Sequence, residues 1–366
     1  MVRVVRRCSR VANSGVYSAE LGGLLLDGCK EVGFPGLPGT FKLLSKLLGQ
    51  SEPSRITLHY NTTEAFRAAL RLVTGSLGAA NPLTVLLTDC EYPGFAQTVR
   101  DELPHARRVT AAIRSKLWRL PPSIAGYHLV TMIEKVRPQV VLLSHVCRTT
   151  GVALPVFELI RHFRRILPAT VWIIDGAQAV GNLELDAHDV SEADYYLGSA
   201  HKHLLSAVLG LCVHRARVSA DRCNATIVRY DSTNPLRSVR STIELKPLFA
   251  AAYAARSFLG DSSLVHNHTK ALARDLADGL RRLIPLAVIP EPDGAIVSCR
   301  LAIGPAENYF RCLSARGVRL SLLPDSDMTY GLRFSIHANH GSGDVRRLLD
   351  FVNQAGKALG RKELAA

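Results

Sequence analysis

The sequence predicts an α/β fold, with a large unit built on a mainly parallel sheet flanked by helices and a smaller α+β unit after it. Three observations carry this. Short apolar runs alternate with helix-like segments between residues 55 and 215. Three of those runs stop at an ionisable residue. The texture then changes near residue 245, after which short strand-like runs and helices intermix. A chain of 366 residues suggests about two domains. We place them at residues 1–245 and 246–366, with roughly the first 15 residues as an arm.

The elements follow in order. Leu83–Thr88 is an apolar run that ends at Asp89, Gln139–Ser144 ends at His145, and Val171–Ile174 ends at Asp175. Leu129–Val136 and Phe157–Ile166 have helical patterning. Strands that are apolar throughout, alternating with helices, imply parallel pairing with both faces covered. Ligands of such sheets gather beyond the carboxyl ends of the strands, where Asp89, His145 and Asp175 fall. Residues 216–242 are polar and irregular, and Leu245–Leu259 reads as a long helix. In the tail, Leu286–Ile289, Ala295–Ala302 and Gly317–Leu322 read as strands, and Ala306–Ala315 and Asp344–Ala358 as helices.

Composition narrows the class. Lys and Arg total 45 against 31 acids, a net charge of +14. The basic residues are spread out, with only short pairs such as Arg107-Arg108 and Arg164-Arg165, and there is no recognition-helix pattern or zinc spacing. A small anionic ligand therefore ranks ahead of nucleic acid. No apolar run reaches the length of a membrane span. The cysteines at 8, 29, 90, 147, 212, 223, 299 and 312 form no C-x-x-C pair. They read as reduced thiols of a cytoplasmic protein. The basic start, MVRVVRRCSRVA, lacks the apolar core and cleavage site of a targeting peptide.

The chemistry concentrates in Asp175-Gly-Ala-Gln178 and Gly198-Ser-Ala-His-Lys-His203. An acid that closes a strand and a lysine 27 residues later fit one cofactor well. Pyridoxal phosphate needs a lysine to hold its aldehyde as a Schiff base. It also needs a carboxylate that keeps the pyridine nitrogen protonated, so that the ring acts as an electron sink.

Those two runs resemble the class V aminotransferase family of fold-type I pyridoxal-phosphate enzymes, which includes cysteine desulfurases, isopenicillin N epimerase-like enzymes and kynureninases. Further segments resemble the family in its own order. They are Asn61-Thr-Thr-Glu-Ala65, Asp89-Cys-Glu-Tyr-Pro93, Ser144-His-Val146 with Thr150-Gly151 and Pro155, and Leu332-Arg-Phe-Ser-Ile336. Together they cover about residues 55–345.

The resemblance implies roles. Lys202 carries the cofactor and then acts as the base at Cα. Asp175 pairs with the ring nitrogen, and Gln178 binds the ring hydroxyl. Thr62 and Thr63 hold the phosphate at a helix N-terminus, completed by Ser199 and His201. Thr242 reaches the phosphate of a partner subunit, so a homodimer with shared sites is expected. Arg333 clamps the substrate carboxylate. His145 is either a cofactor contact or a core histidine.

Three departures stand out. The place where many members stack a ring on the cofactor is Cys90, with Tyr92 the nearest aromatic. Arg148 stands where desulfurases have an asparagine; it either favours a second anionic group on the substrate or points away from the site. The loop Gly317–Gly331 has no cysteine, which disfavours persulfide chemistry; Cys312 lies in the helix before it. The expected activity is chemistry at Cα of an amino acid, transamination first, with epimerisation or β/γ-elimination as the alternative. A scaffold that has lost catalysis and a nucleic-acid binder are the remaining rivals.

Overall fold

A computed structural model describes residues 34–50, 52–77, 83–215, 228–229, 245–326 and 328–363. Thr242, the first 15 residues and cysteines 8, 29 and 223 lie outside these. Helix α1 (Gly36–Leu47) and a 3-10 turn at Pro53–Arg55 precede strand β1 (Ile56–His59). Then come α2 (Thr62–Leu77), β2 (Thr84–Thr88), α3 (Pro93–Glu102) and β3 (Arg107–Ala111). A single turn α4 (Arg114–Leu117) leads to α5 (Pro122–Val136), β4 (Val140–Ser144), α6 (Val156–Ile166) and β5 (Val171–Asp175). Short α7 (Ala187–Glu192), β6 (Tyr195–Ser199), β7 (Gly210–His214) and β8 (Val228–Arg229) complete the first sheet.

That sheet has eight strands in the order β3-β2-β4-β5-β6-β7-β1-β8. Pairings from β3 through to β6 are parallel, and those from β6 through β7 and β1 to β8 are antiparallel. The cause is in the sequence. Val140-Val-Leu-Leu-Ser144 is buried at every position, so both faces must be covered. Alternate residues feed two cores. Val141, Leu143, Trp172 and Ile174 pack with α1, α5, α6 and α8, while Val140, Leu142 and Ile173 pack with α2 and α3. The register sets Ser144 beside Asp175. It brings the ends of β1, β4, β5 and β6, and the start of β7, to one edge.

The remaining elements are α8 (Leu245–Gly260), α9 (Ser262–Leu283), β9 (Ile296–Ala302), α10 (Ile303–Ser314), β10 (Ser321–Ser326), β11 (Thr329–Ser335) and α11 (Ser342–Glu363). Strands β10-β11-β9 form an antiparallel sheet, with a core of residues such as Leu276, Cys299, Phe334 and Val352. Helix α8 instead gives Leu248, Ala251 and Ala255 to the core of the first sheet.

Some sequence expectations shift. Leu286–Ile289 is not a strand: Leu286 is 92% exposed, and only Val288 makes a bridge, to Arg300. The strand expected at Gly317–Leu322 begins at Ser321. The 22-residue α9 and strands β1, β3, β6, β7 and β11 are additions. Among the described residues no helix is long and apolar enough to cross a membrane, and the five described cysteines are free thiols.

Polar contacts join the two sheets. Asp325, with its side chain 3% exposed, receives Arg114 at 3.1 Å and Arg300 at 3.0 Å. The Asn182 amide oxygen accepts from Ala295 N–H at 2.6 Å, and an Asp293 oxygen accepts from Ala153 N–H at 2.8 Å. Removing one partner of a buried ion pair leaves the other charge unpaired. We expect Asp325→Ala to lower unfolding free energy by about 3–5 kcal/mol, measured by urea denaturation. A change under 1 kcal/mol contradicts the clamp.

Candidate active site

The site begins where β5 ends. Asp175 closes an apolar strand and turns back, its Oδ1 accepting from Ala177 N–H at 2.9 Å. Gly176 permits the turn, because a Cβ there would lie 2.3 Å from the Tyr196 ring. Burial pushes the Asp175 carboxyl up to about 6, against the pull of the Ala177 amide and of Lys202. Lys202 follows β6. Its amine is held below the usual lysine range by burial first and then by Arg333 and Arg148, with Asp175 opposing. A lysine shifted this way offers the neutral amine that carbonyl chemistry needs.

The start of α2 supplies the third component. The Asn61 side chain caps it, accepting from Glu64 N–H at 2.9 Å. Thr62 Oγ donates to Gly198 O at 3.1 Å, which fixes the helix start against β6. Gly210 lets β7 approach equally closely: a Cβ there would stand 2.2 Å from Asn61 O and 2.8 Å from Thr62 N. Positive partial charge at this end suits an anion.

These parts share a cavity of about 500 Å³. Thr62, Thr63, Tyr92, Arg148, Asp175, Gln178, His201 and Lys202 line it, as do Asn61, Glu64, Ser144 and Val208. Gln178 Oε1 accepts from His203 Nε2 at 3.2 Å, leaving the amide NH₂ to donate into the cavity. His203 stays neutral because burial holds it down to about 3. Ser199 is wholly buried and does not line the cavity. It acts through His201, whose Nδ1 lies 2.8 Å from Ser199 Oγ. With Ser199 donating, Nε2 of that ring carries its proton.

Three expected site residues are placed elsewhere. Cys90 is buried in the core, its backbone N–H on Thr88 Oγ and its thiol against Cys147. Tyr92 is the ring at the cavity, with the Arg148 guanidinium 5.6 Å from its centroid. His145 is a core histidine: its Nδ1 lies 2.9 Å from Tyr196 Oη and its edge meets Phe157. Strand alternation explains this. Ser144, Val146 and Arg148 face the cavity, so His145 and Cys147 face away. Arg333 lies behind the wall, donating to Arg148 O at 3.0 Å and to Ser321 Oγ at 3.2 Å.

Glu91 was given no role by its sequence context, yet it underlies the site. Wholly buried, it is held by Thr88 Oγ at 2.6 Å, Ser144 Oγ at 2.6 Å and Ser144 N–H at 3.1 Å. Burial pushes its carboxyl up to about 8, so it is protonated at neutral pH and adds little charge beside Asp175. The available signal was an acid three residues beyond the end of β2.

The donor set fits pyridoxal phosphate. A helix start with a threonine pair matches the phosphate, Gln178 the ring hydroxyl, Asp175 a protonated ring nitrogen and Lys202 the aldehyde. Two measurements probe this fit. Because the folded Asp175 pKa lies above its unfolded value, its ionisation costs stability as pH rises from about 4 to 6. In the cofactor-free chain we therefore expect Asp175→Asn to raise unfolding free energy by up to about 3 kcal/mol at pH 7, fading below pH 4. A loss of stability at pH 7 contradicts the assignment. We also expect Gly210→Ala to weaken retention of pyridoxal phosphate at least about tenfold, roughly 1.4 kcal/mol, by dialysis. Gly75→Ala in α2, where a Cβ meets nothing within 4 Å, is the control. Equal retention in the two variants contradicts the cradle.

Known proteins agree with this arrangement. The family model for aminotransferase class-V matches residues 42–220. Isopenicillin N epimerase of Streptomyces clavuligerus is 30% identical over 295 residues, covering 77% of this chain and 66% of that protein. The enzyme of the same name from Amycolatopsis lactamdurans is 26% identical over 335 residues, covering 84% and 82%. This chain thus spans just under two thirds of the length of the first relative and most of the second. Among solved structures, the cystine C-S lyase C-DES in complex with cysteine persulfide gives a TM-score of 0.75 at 19% identity, covering 96% of this chain and 92% of that one. A NifS-like protein gives 0.70 at 17%, covering 94% and 97%. At that identity the structures speak for the fold, and with the family match and the relatives they lead to one conclusion. Over residues 42–220 the chain matches the class-V aminotransferase family, and its fold is that of the pyridoxal-phosphate enzymes among these structures.

Proposed function

We propose that the protein moves the proton on Cα of an amino-acid substrate, with epimerisation ahead of transamination. The observation that carries this is the convergence of Asp175, Lys202 and the α2 start on one cavity. Bound there, pyridoxal phosphate supplies an electron sink that makes the Cα proton labile. The chain's own groups do the rest. The Lys202 amine, whose charged form burial and two arginines disfavour, takes that proton and can return it. Asp175 holds the ring nitrogen protonated. Gln178, fixed by His203, orients the ring through its hydroxyl. Arg148, which lines the cavity, holds the substrate carboxylate, with Arg333 behind it bonded to its backbone carbonyl.

Epimerisation ranks first for two reasons. Relatives carry that activity in their names. The cavity also presents a second proton carrier, the Tyr92 hydroxyl, from an element separate from that of Lys202. Transamination needs only Lys202 and ranks second, ahead of β/γ-elimination. A persulfide route is not proposed, because no cysteine lines the cavity among the described residues. The same reading takes residues 1–245 and 246–366 as the two domains and the protein as a cytoplasmic homodimer. Leu205 and Val208, both over half exposed beside the Lys202 loop, are the apolar surface such a partner would cover.

The test is amino-acid turnover in deuterium oxide, followed by mass and chiral analysis. We expect solvent deuterium at Cα together with inversion of configuration. In Tyr92→Phe we expect inversion to fall at least about tenfold, some 1.4 kcal/mol of barrier, while exchange with retention persists. Keto-acid release with no inverted product would move transamination to first place. No exchange with any amino acid would overturn chemistry at Cα.

A further inference from the structure

A second hollow, of about 760 Å³, lies between β10, β11 and the start of α11. It shares no lining residue with the Lys202 cavity. Arg333 stands between the two, donating to Arg148 O at 3.0 Å and to Ser321 Oγ at 3.2 Å. A small molecule in the hollow would therefore leave the cavity free.

The wall is strongly basic. Arg316, Arg319, Arg333 and Arg347 line it against one carboxylate, Asp344. That carboxylate is engaged at its own helix start, accepting from Gly341 N–H at 2.9 Å. Among the described residues none of the four arginines forms an ion pair. A concave surface with unneutralised charges of one sign focuses positive potential. Two buried nitrogens of lining residues, Arg333 Nε and His337 Nδ1, have no hydrogen-bond partner among the described residues. Native folds rarely leave such atoms unpaired, so two of them in one wall point to a bound group. Burial, and then Arg148, also disfavours the charge on Arg333. A negative charge in the hollow would offset both.

The charge count selects the ligand. A carboxylate has one charge and two oxygens, which a single guanidinium fork satisfies. Four forks against one engaged acid suit a phosphate, with close to two charges and three acceptor oxygens. Leu320, Phe334 and Leu348 share the wall with the arginines and offer an apolar face to the rest of a molecule. The volume is that of a small-molecule site. We infer that this hollow is a binding site, separate from the catalytic cavity, for a small organic phosphate. The phosphate lies among Arg319, Arg333 and Arg347, and an apolar or aromatic body lies against Leu320, Phe334 and Leu348. The site stands whichever reaction the cavity performs.

The test uses the protein loaded with pyridoxal phosphate and fixed by borohydride, so that the α2 start is already filled. Phenyl phosphate, benzoate and inorganic phosphate are titrated by calorimetry. We expect one equivalent of phenyl phosphate to bind, at least about tenfold tighter than benzoate or inorganic phosphate, a difference of roughly 1.4 kcal/mol. Arg319→Ser/Arg347→Ser, which replaces two exposed side chains, should weaken that binding at least about tenfold. Arg107→Ser/Arg108→Ser removes the same charge from the exposed part of β3 and should leave it unchanged. An arginine-specific dicarbonyl reagent followed by peptide mass gives a second readout: phenyl phosphate should shield Arg319 and Arg347 but not Arg107 and Arg108. Equal weakening in the two double variants would reduce the effect to net charge and overturn the site. Benzoate binding as tightly would overturn the phosphate class. Inorganic phosphate binding as tightly would leave a free-anion site and overturn the organic ligand. Binding that is present in the unloaded chain and lost on loading would belong to the α2 start and overturn the site as well. If the protein does not take up the cofactor, the function proposed above fails, and the same titration of the unloaded chain and its two double variants still decides the hollow.

Discussion

The structure turns on one costly placement, a carboxylate at the end of a strand buried on both faces. Asp175 is bonded by a single neighbouring amide and faces a lysine whose charge burial also disfavours. Neither group is at its ease, and each is shifted toward its neutral form. A protonated ring nitrogen against the one and an aldehyde on the other would relieve both. Much of the surrounding sequence keeps them in place. Val171–Ile174 must be apolar to bury β5, Gly176 must lack a side chain beside Tyr196, and Glu91 must stay protonated beneath Ser144. Perturbed groups of this kind concentrate where chemistry is done.

Legibility of the fold followed burial. β2, β4 and β5 were visible because strands buried on both faces read as unbroken apolar runs. β3 was not, since Arg107-Arg-Val-Thr-Ala111 is an edge strand exposed over most of its length. Leu286–Ile289 misled for another reason: Ile289 is buried, but Leu286 lies at the surface and only Val288 makes a bridge. For the site, Asp175, Gln178 and Lys202 were legible as a spaced set, and the structure brings them to one cavity. Cys90 and His145 were not, because sequence order says which segment reaches the site and strand parity decides which residue faces it. Arg333 shows a further limit. It was expected to face the substrate, yet it stands behind Arg148, held by a carbonyl 185 residues away in sequence.

The two sheets meet around Asp325, Asn182 and Asp293, and the catalytic groups are divided between them. The first sheet supplies the lysine, the carboxylate and the helix start. The second supplies Arg333 and the basic hollow. It also gives part of the +14 charge a local meaning, since four of the arginines converge on one concavity.

The most direct measurement is reductive fixation. The protein is loaded with pyridoxal phosphate, treated with borohydride, digested and mapped by mass spectrometry. The account requires the phosphopyridoxyl mass on the peptide containing Lys202 and no labelling of that peptide in Lys202→Ala. Fixation on a different lysine, or none after loading, would contradict the assignment of this cavity as the cofactor site.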